Sequence, residues 1–311
     1  MNLGEYASYD GLGLAELVRK KQVTPRELAA TAAQAIEAIN PRVNAVVELY
    51  DDRVIGLDEA SLGHGPFRGV PFLIKDVGGH EKGRKIEYGS RLCQGMVSEL
   101  DSNLIKLLRA SGVNVMGRTN TPEYSIAGTT ENALYGNTST PWRHGYCAGG
   151  STGGGAAAVA SGMVPLAHGS DIGGSIRIPA SLCGGVGLKP SRGRISAGPA
   201  LDEAGFGLAM NFAQAKSIRD VAAMLDCLAI PQPGDPFIIP KPAEPYGAFP
   251  GKRPPRLKIA WSAKPVMNGP VDVEVAAAVA DTAKLLAEMG HEVSEEAPPY
   301  DGEDASRQML D

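Results

Sequence analysis

Closely spaced cysteines, long apolar runs and blocks of basic residues are all missing from this sequence of 311 residues. Each absence removes a class of protein. The four cysteines, Cys93, Cys147, Cys183 and Cys227, lie far apart and form no C-x-x-C pair. That excludes a standard zinc ribbon and does not look like a disulfide framework. No stretch of 18 apolar residues occurs, and the opening "MNLGEYASYDGLGLAELVRKK" lacks an apolar signal core, so a reduced, cytoplasmic protein is expected. Net charge is -5 and the longest basic run is the "RKK" at 19–21, which makes nucleic acid and anionic membranes poor partners. The five histidines, His64, His80, His144, His168 and His291, include no H-x-x-x-H or H-E-x-x-H pair, so no metal is expected. Neither G-x-x-x-x-G-K-[ST] nor a G-x-G-x-x-G between strand and helix is present, which disfavours a phosphate cradle.

What the chain does have is glycine. Thirty-nine are present, and they concentrate between 136 and 208. With 43% hydrophobic and 21% charged residues, the rest is an ordinary globular composition, long enough for one large domain or two ordinary ones.

Local signals read as alternating helices and strands. Thr24-Pro25-Arg26-Glu27 is a capping box that opens a helix to about Ile39. "GVPFLIKD" (69–76) is a buried strand ending at Lys75. Asp101 or Ser102 caps a helix carrying Leu104, Ile105, Leu107 and Leu108, which Gly112 ends before the strand "VNVMG". Residues 117–150 are loop-like, 153–161 form a small-residue helix, and 163–171 form another buried strand. Ser217 and Asp220 cap "IRDVAAMLDCLA". A Pro-rich linker covers 230–255; after it come the strand "RLKIAW", a helix from Val273 to Met289 closed by Gly290, and "HEVSEEA". This order predicts an α/β fold with a mainly parallel, buried sheet. The final "DGEDASRQMLD" gives no packed ending.

Two chemical readings compete for the glycine-rich "CAGGSTGGGAAAVASG" (147–162). Gly149, Ser151 and Gly153 spell G-x-S-x-G, and His291 follows in the order an α/β-hydrolase requires. However, "STPWRHGYCAGG" is a poor strand to precede a nucleophile elbow, and His291 lies in a plain charged strand entry. The other reading is a serine hydrolase with a lysine base. A lone lysine at a strand end is usually a surface charge, but burial of Lys75 would lower its pKa and let it accept a hydroxyl proton. Its company favours this: Ser151 and Ser175 each follow a Gly-Gly in separate glycine-rich loops. His168 reads as a core or supporting histidine at a strand end.

Three segments resemble the amidase signature family. They are "GVPFLIKD", "GRTNTPEYSIAGTTENALYGNTSTPW", and "GGSTGGGAAAVASG" with "HGSDIGGSIRIPASLCGGVGLKPSRGRIS", together covering about 69–197. The resemblance implies one amidase signature domain over 1–311: a central mixed, mostly parallel twisted sheet covered by helices on both faces. It implies a Ser–cis-Ser–Lys triad with Ser175 as nucleophile and Ser151, on a cis peptide after Gly150, relaying the proton to Lys75. The amides of Ile172, Gly173 and Gly174 would form the oxyanion hole. Asp171 and Arg177 would hold the nucleophile's loop or form an ordinary ion pair, and Thr152 stands where many members carry a second serine.

The implied activity is cleavage of the amide or carbamate C–N bond of a small hydrophobic or xenobiotic substrate through an acyl-enzyme on Ser175, with no cofactor. The substrate and water are the partners, and a homodimer is the assembly open to test. "GRISAGPALDEAGFGLAMNFAQAKSIRDVAAMLD" with "TNTPE" is most similar to the branch of aryl acylamidases, cyclic nylon-dimer hydrolases and bacterial urethanases. The glutamine-hydrolysing subunit of an amidotransferase and an inactive amidase fragment are the alternatives. Family members usually continue further, adding strands and pocket wall, so this sequence is expected to lack the C-terminal part. Tyr124, Tyr135 and Trp142 lie near the site and read either as pocket lining or as core.

Overall fold

The computed structural model describes residues 1–266, 269–304 and 307. The sequence's expected unpacked ending therefore falls largely outside the described residues. Contacts gather into two compact units, Met1–Pro250 and Gly251–Asp311, with the boundary inside the Pro-rich stretch.

The first unit opens with helices α1 (Leu3–Ser8), α2 (Gly11–Arg19) and α3 (Pro25–Val43). Thr24 and Glu27 form the reciprocal capping box that starts α3. Helix α3 runs past the expected end at Ile39, through Pro41. Asn40 makes this tolerable: its Oδ1 accepts from the amides of Ala45 and Val46, and Asn44 closes the helix in the left-handed region. Buried Leu28, Ala32 and Ile36 then hold α3 on the core despite the amide that proline lacks.

Six strands form the main sheet: β1 (Val46–Leu49), β2 (Pro71–Lys75), β3 (Asn114–Thr119), β4 (Leu166–Asp171), β5 (Val186–Gly187) and β6 (Met210–Ala215). Their spatial order is β1-β3-β2-β4-β6-β5. The central β3, β2 and β4 are parallel, whereas β1, β6 and β5 join antiparallel, so the sheet is mixed. The sequence reading covers the three parallel strands, whereas β1, β5 and β6 are found only in the structure. The remaining helices of this unit are α4 (Asp51–Val54), α5 (Asn103–Ser111), α6 (Gly153–Ala160), α7 (Arg177–Cys183) and α8 (Ile218–Leu228). They pack with the first three in two groups: α8 against α2 and α5, and α3 against α1 and α6, with α7 on α6.

One expected cap is settled between its two candidates, and another differs in detail from expectation. Ser102, not Asp101, starts α5, because Asp101 is engaged by Arg109 and the Lys82 amide. Ser217 caps α8, but the Asp220 carboxylate turns away to accept from Gly11 and Leu12 at the start of α2. The carboxylate is drawn there because these are first-turn N–H groups that have no partner within their own helix.

Glycine in α6 serves close approach. A Cβ on Gly154 would lie 2.5 Å from Asn120 N and 2.6 Å from Asn120 O. Glycine to alanine inside a helix normally stabilises by about 1 kcal/mol. Here we expect Gly154→Ala to destabilise by about 1–3 kcal/mol in urea titration, because the overlap is with backbone.

The second unit is a small parallel pair, β7 (Lys258–Trp261) and β8 (Glu292–Glu295), connected through α9 (Val273–Glu288). This is the strand–helix–strand order read from the sequence. No helix among the described residues is long and apolar enough to cross a membrane.

Candidate active site

Strand β2 is buried along its whole length, and its last residue is Lys75. The lysine is 1% exposed. Burial pushes its pKa down to about 7, with the Asp171 carboxylate pulling the other way. Its Nζ hydrogen-bonds to Ser151 Oγ at 2.7 Å and to Ser170 Oγ at 3.0 Å. Near neutral pH, therefore, an amine with substantial neutral population sits against two hydroxyls.

Ser151 precedes α6 and is fully buried; its peptide bond to Gly150 is cis. A Cβ on Gly150 would meet Thr129 O at 2.4 Å, so the loop admits no larger residue there. Thr121 Oγ1 donates to Ser151 O at 3.0 Å. Thr130 Oγ1 donates to Gly149 O and accepts from Gly153 N, bracketing the loop from both sides. Thr152 is buried; its Oγ1 donates to Ser170 O at 3.3 Å and its amide to Ser175 O at 3.1 Å. The last bond joins the two glycine-rich loops.

Ser175 lies between β4 and α7 and is half-buried. Its hydroxyl has no protein hydrogen bond among the described residues, and the Ser175 and Ser151 hydroxyls are not bonded to each other. Asp171, with no exposure, organises the turn before it. Its carboxylate accepts from the amides of Gly174, Ile176 and Arg177 and from the Arg177 side chain at 2.9 and 3.0 Å. Burial alone would raise the Asp171 pKa, but Arg177 and these amides together hold it below the usual range. Asp171 and Arg177 are thus both an ion pair and the brace of this turn. The Gly174 amide, expected to face an oxyanion, is engaged by Asp171 Oδ1 at 2.8 Å. Those of Ile172 and Gly173 have no protein acceptor among the described residues, and a Cβ on Gly173 would meet only open space.

Several supporting residues escaped the sequence reading. Ser170 is one; the only signal for it is a hydroxyl directly before Asp171. Arg118 is another, 2% exposed on β3. It pairs with Glu48 and Glu87, each at 2.7 Å, and with Asp76, the residue after Lys75. Tyr135 donates to Glu87 in the same cluster. Asp76 also accepts from the amides of Glu87 and Gly89, so Arg118 and Asp76 pin the loop that follows β2. Burial raises the Asp76 pKa against the pull of Arg118. Removing one partner of a buried cluster strands the others. Arg118→Met should therefore cost about 3–5 kcal/mol in denaturant, and less at acid pH where the carboxylates protonate.

Of the aromatic candidates, Tyr135 belongs to this cluster, whereas Tyr124 and Trp142 are 42% and 71% exposed and so are not core. Tyr124 stacks on Tyr88, and Trp142 Nε1 donates to Cys183 O. His291 accepts from the Leu257 amide inside the second unit, while the partner of Ser151 Oγ is Lys75. Among the described residues no three His, Cys, Asp or Glu side chains converge as a metal site.

The sequence profile of the Amidase family matches residues 27–305, and the chain belongs to that family. It is 38% identical over 297 residues to the 6-aminohexanoate-cyclic-dimer hydrolase of Paenarthrobacter ureafaciens, covering 93% of this chain and 59% of that protein. To an acylamidase of Rhodococcus erythropolis it is 36% identical over 297 residues, covering 92% and 61%. A solved 6-aminohexanoate cyclic dimer hydrolase complexed with substrate superposes with a TM-score of 0.88 at 38% identity, over 94% of this chain and 61% of that one. The chain spans about three fifths of the length of these relatives.

Proposed function

We propose that this chain carries the catalytic machinery of a serine amidohydrolase, which cleaves the C–N bond of a small hydrophobic amide or carbamate. The observation that carries the reading is the buried Lys75 Nζ at 2.7 Å from Ser151 Oγ, in a loop whose Thr152 amide is bonded to the carbonyl of Ser175 on the second glycine-rich turn. Ser175 Oγ attacks the carbonyl carbon as its proton passes to Ser151 and the Ser151 proton passes to neutral Lys75. Ser170 holds Nζ from its other side. The tetrahedral oxyanion is met by the Ile172 and Gly173 amides, each typically worth about 10²–10³ in rate. The leaving nitrogen takes the proton back along the same relay, the C–N bond breaks, and water then releases the acyl group by the same path.

Similarity to a cyclic-dimer hydrolase and an acylamidase supports an amide of a cyclic or hydrophobic amine as substrate. A panel of anilides, nitrophenyl carbamates, cyclic amides and glutamine tests it. We expect turnover of an anilide, carbamate or cyclic amide. Turnover of glutamine alone would assign the chain to the amidotransferase reading. Fluorophosphonate labelling with peptide mapping should mark Ser175; a label on Ser151 would restore the elbow reading, and none at all a non-catalytic chain.

A further inference from the structure

The pairing of β2 with β4 ends before the site begins. The two strands pair at Phe72↔Leu166 and Leu73↔Ala167 and no further, although β2 stays paired with β3 as far as Lys75↔Thr119. Continued parallel pairing would set Lys75 opposite Gly169. Instead the pairing stops at Leu73, and beyond it the Lys75 amine meets the Ser151 and Ser170 hydroxyls. Such an end to the pairing would leave the Lys75 amide buried without an acceptor, a cost of about 1–3 kcal/mol. The His168 side chain supplies the acceptor.

His168 has no exposure. Its Nδ1 accepts from the Lys75 backbone N–H at 3.2 Å, and its Nε2 lies 3.2 Å from Asn211 Oδ1 on β6. A backbone N–H can only donate, so Nδ1 must be unprotonated and the ring proton must sit on Nε2, donating to Asn211. The ring is thus held neutral by its partners, and no second cation stands beside Lys75. Gly78 fits tightly against Asn211, where a Cβ would lie 2.3 Å from Oδ1, while a Cβ on Gly79 would meet Ile74 Cδ1 at 2.1 Å.

We infer that His168 is a positioning residue for Lys75, a neutral wedge that replaces the missing strand pairing and fixes the backbone from which the lysine reaches Ser151. The inference rests on the proposed role of Lys75, which His168 serves without touching substrate.

The test compares His168→Leu, which fills the space without an acceptor, with His168→Gln, which restores a side-chain acceptor. Two readouts are taken: the rate of fluorophosphonate labelling per reactive Ser175, and hydrogen exchange of the Lys75 amide. We expect His168→Leu to slow labelling by about 10²-fold and to release the amide to fast exchange. His168→Gln should recover most of both. Counting per reactive site separates this from mere loss of folded protein. Equal labelling rates with an equally protected Lys75 amide in His168→Leu would overturn the inference. If the wild-type protein is not labelled at all, the proposed hydrolase reading falls, while the exchange comparison still decides whether His168 anchors Lys75.

Discussion

Replacing Ser175 with alanine is expected to lower amide hydrolysis by on the order of 10⁶ and to abolish fluorophosphonate labelling, with little change in stability. The hydroxyl is half-buried and has no protein hydrogen bond among the described residues, so its loss unsatisfies nothing. Substitutions of that kind usually stay within about 0.5 kcal/mol. Ser151→Ala should be as inactive, but less stable, because it takes the acceptor from a fully buried amine. Measuring activity and urea midpoint for both variants separates attacker from relay. Residual labelling of Ser175→Ala near the wild-type rate would refute the assignment of the nucleophile.

Lys75→Met should also eliminate activity, with a distinct signature in pH. Burial favours the neutral amine, so wild-type activity should fall as pH drops through about 7 and the base takes up its proton. Stability carries the same sign. An unfolded lysine has the ordinary value of 10.5. Between about 7 and 10.5 the unfolded chain therefore binds more protons than the folded one, and stability rises with pH across that window. The slope is at most about 1.4 kcal/mol per pH unit. Below the window both states are protonated, and the full cost of the buried ammonium remains. Lys75→Met should lose this slope and be more stable than wild type at neutral pH. Thermal denaturation between pH 6 and 10 provides the check; parallel curves for the two proteins would show that Lys75 is not neutral near pH 7.

Much of the central scaffold is legible without coordinates because its causes are local. The capping box at Thr24 and the apolar run before Lys75 depend on residues a few positions apart, as does the Gly112 stop. Motif resemblance extends this to the serines, since "GGSTGGG" and "DIGGSIR" are long and specific. Legibility stops where a side chain's partner is distant in sequence. Asp220 looks like a cap for its own helix, yet its partners are Gly11 and Leu12. In strand β6, "MNFAQA", Asn211 and Gln214 break up the apolar residues, and its antiparallel pairing with the distant β4 makes it a strand.

By itself, then, the sequence determined the central parallel strands, the helices α3, α5, α6 and α8, and two glycine loops each presenting a serine. Tertiary structure alone decided what surrounds the amine. Beyond the end of the pairing between β2 and β4, Ser170 meets Lys75 and His168 meets its backbone, and β3 places Arg118 behind Asp76. The physical reason is range. Caps, turns and apolar periodicity act within a few residues, whereas the pKa of Lys75 depends on desolvation by segments some 75 to 100 positions away, which only the folded chain brings together.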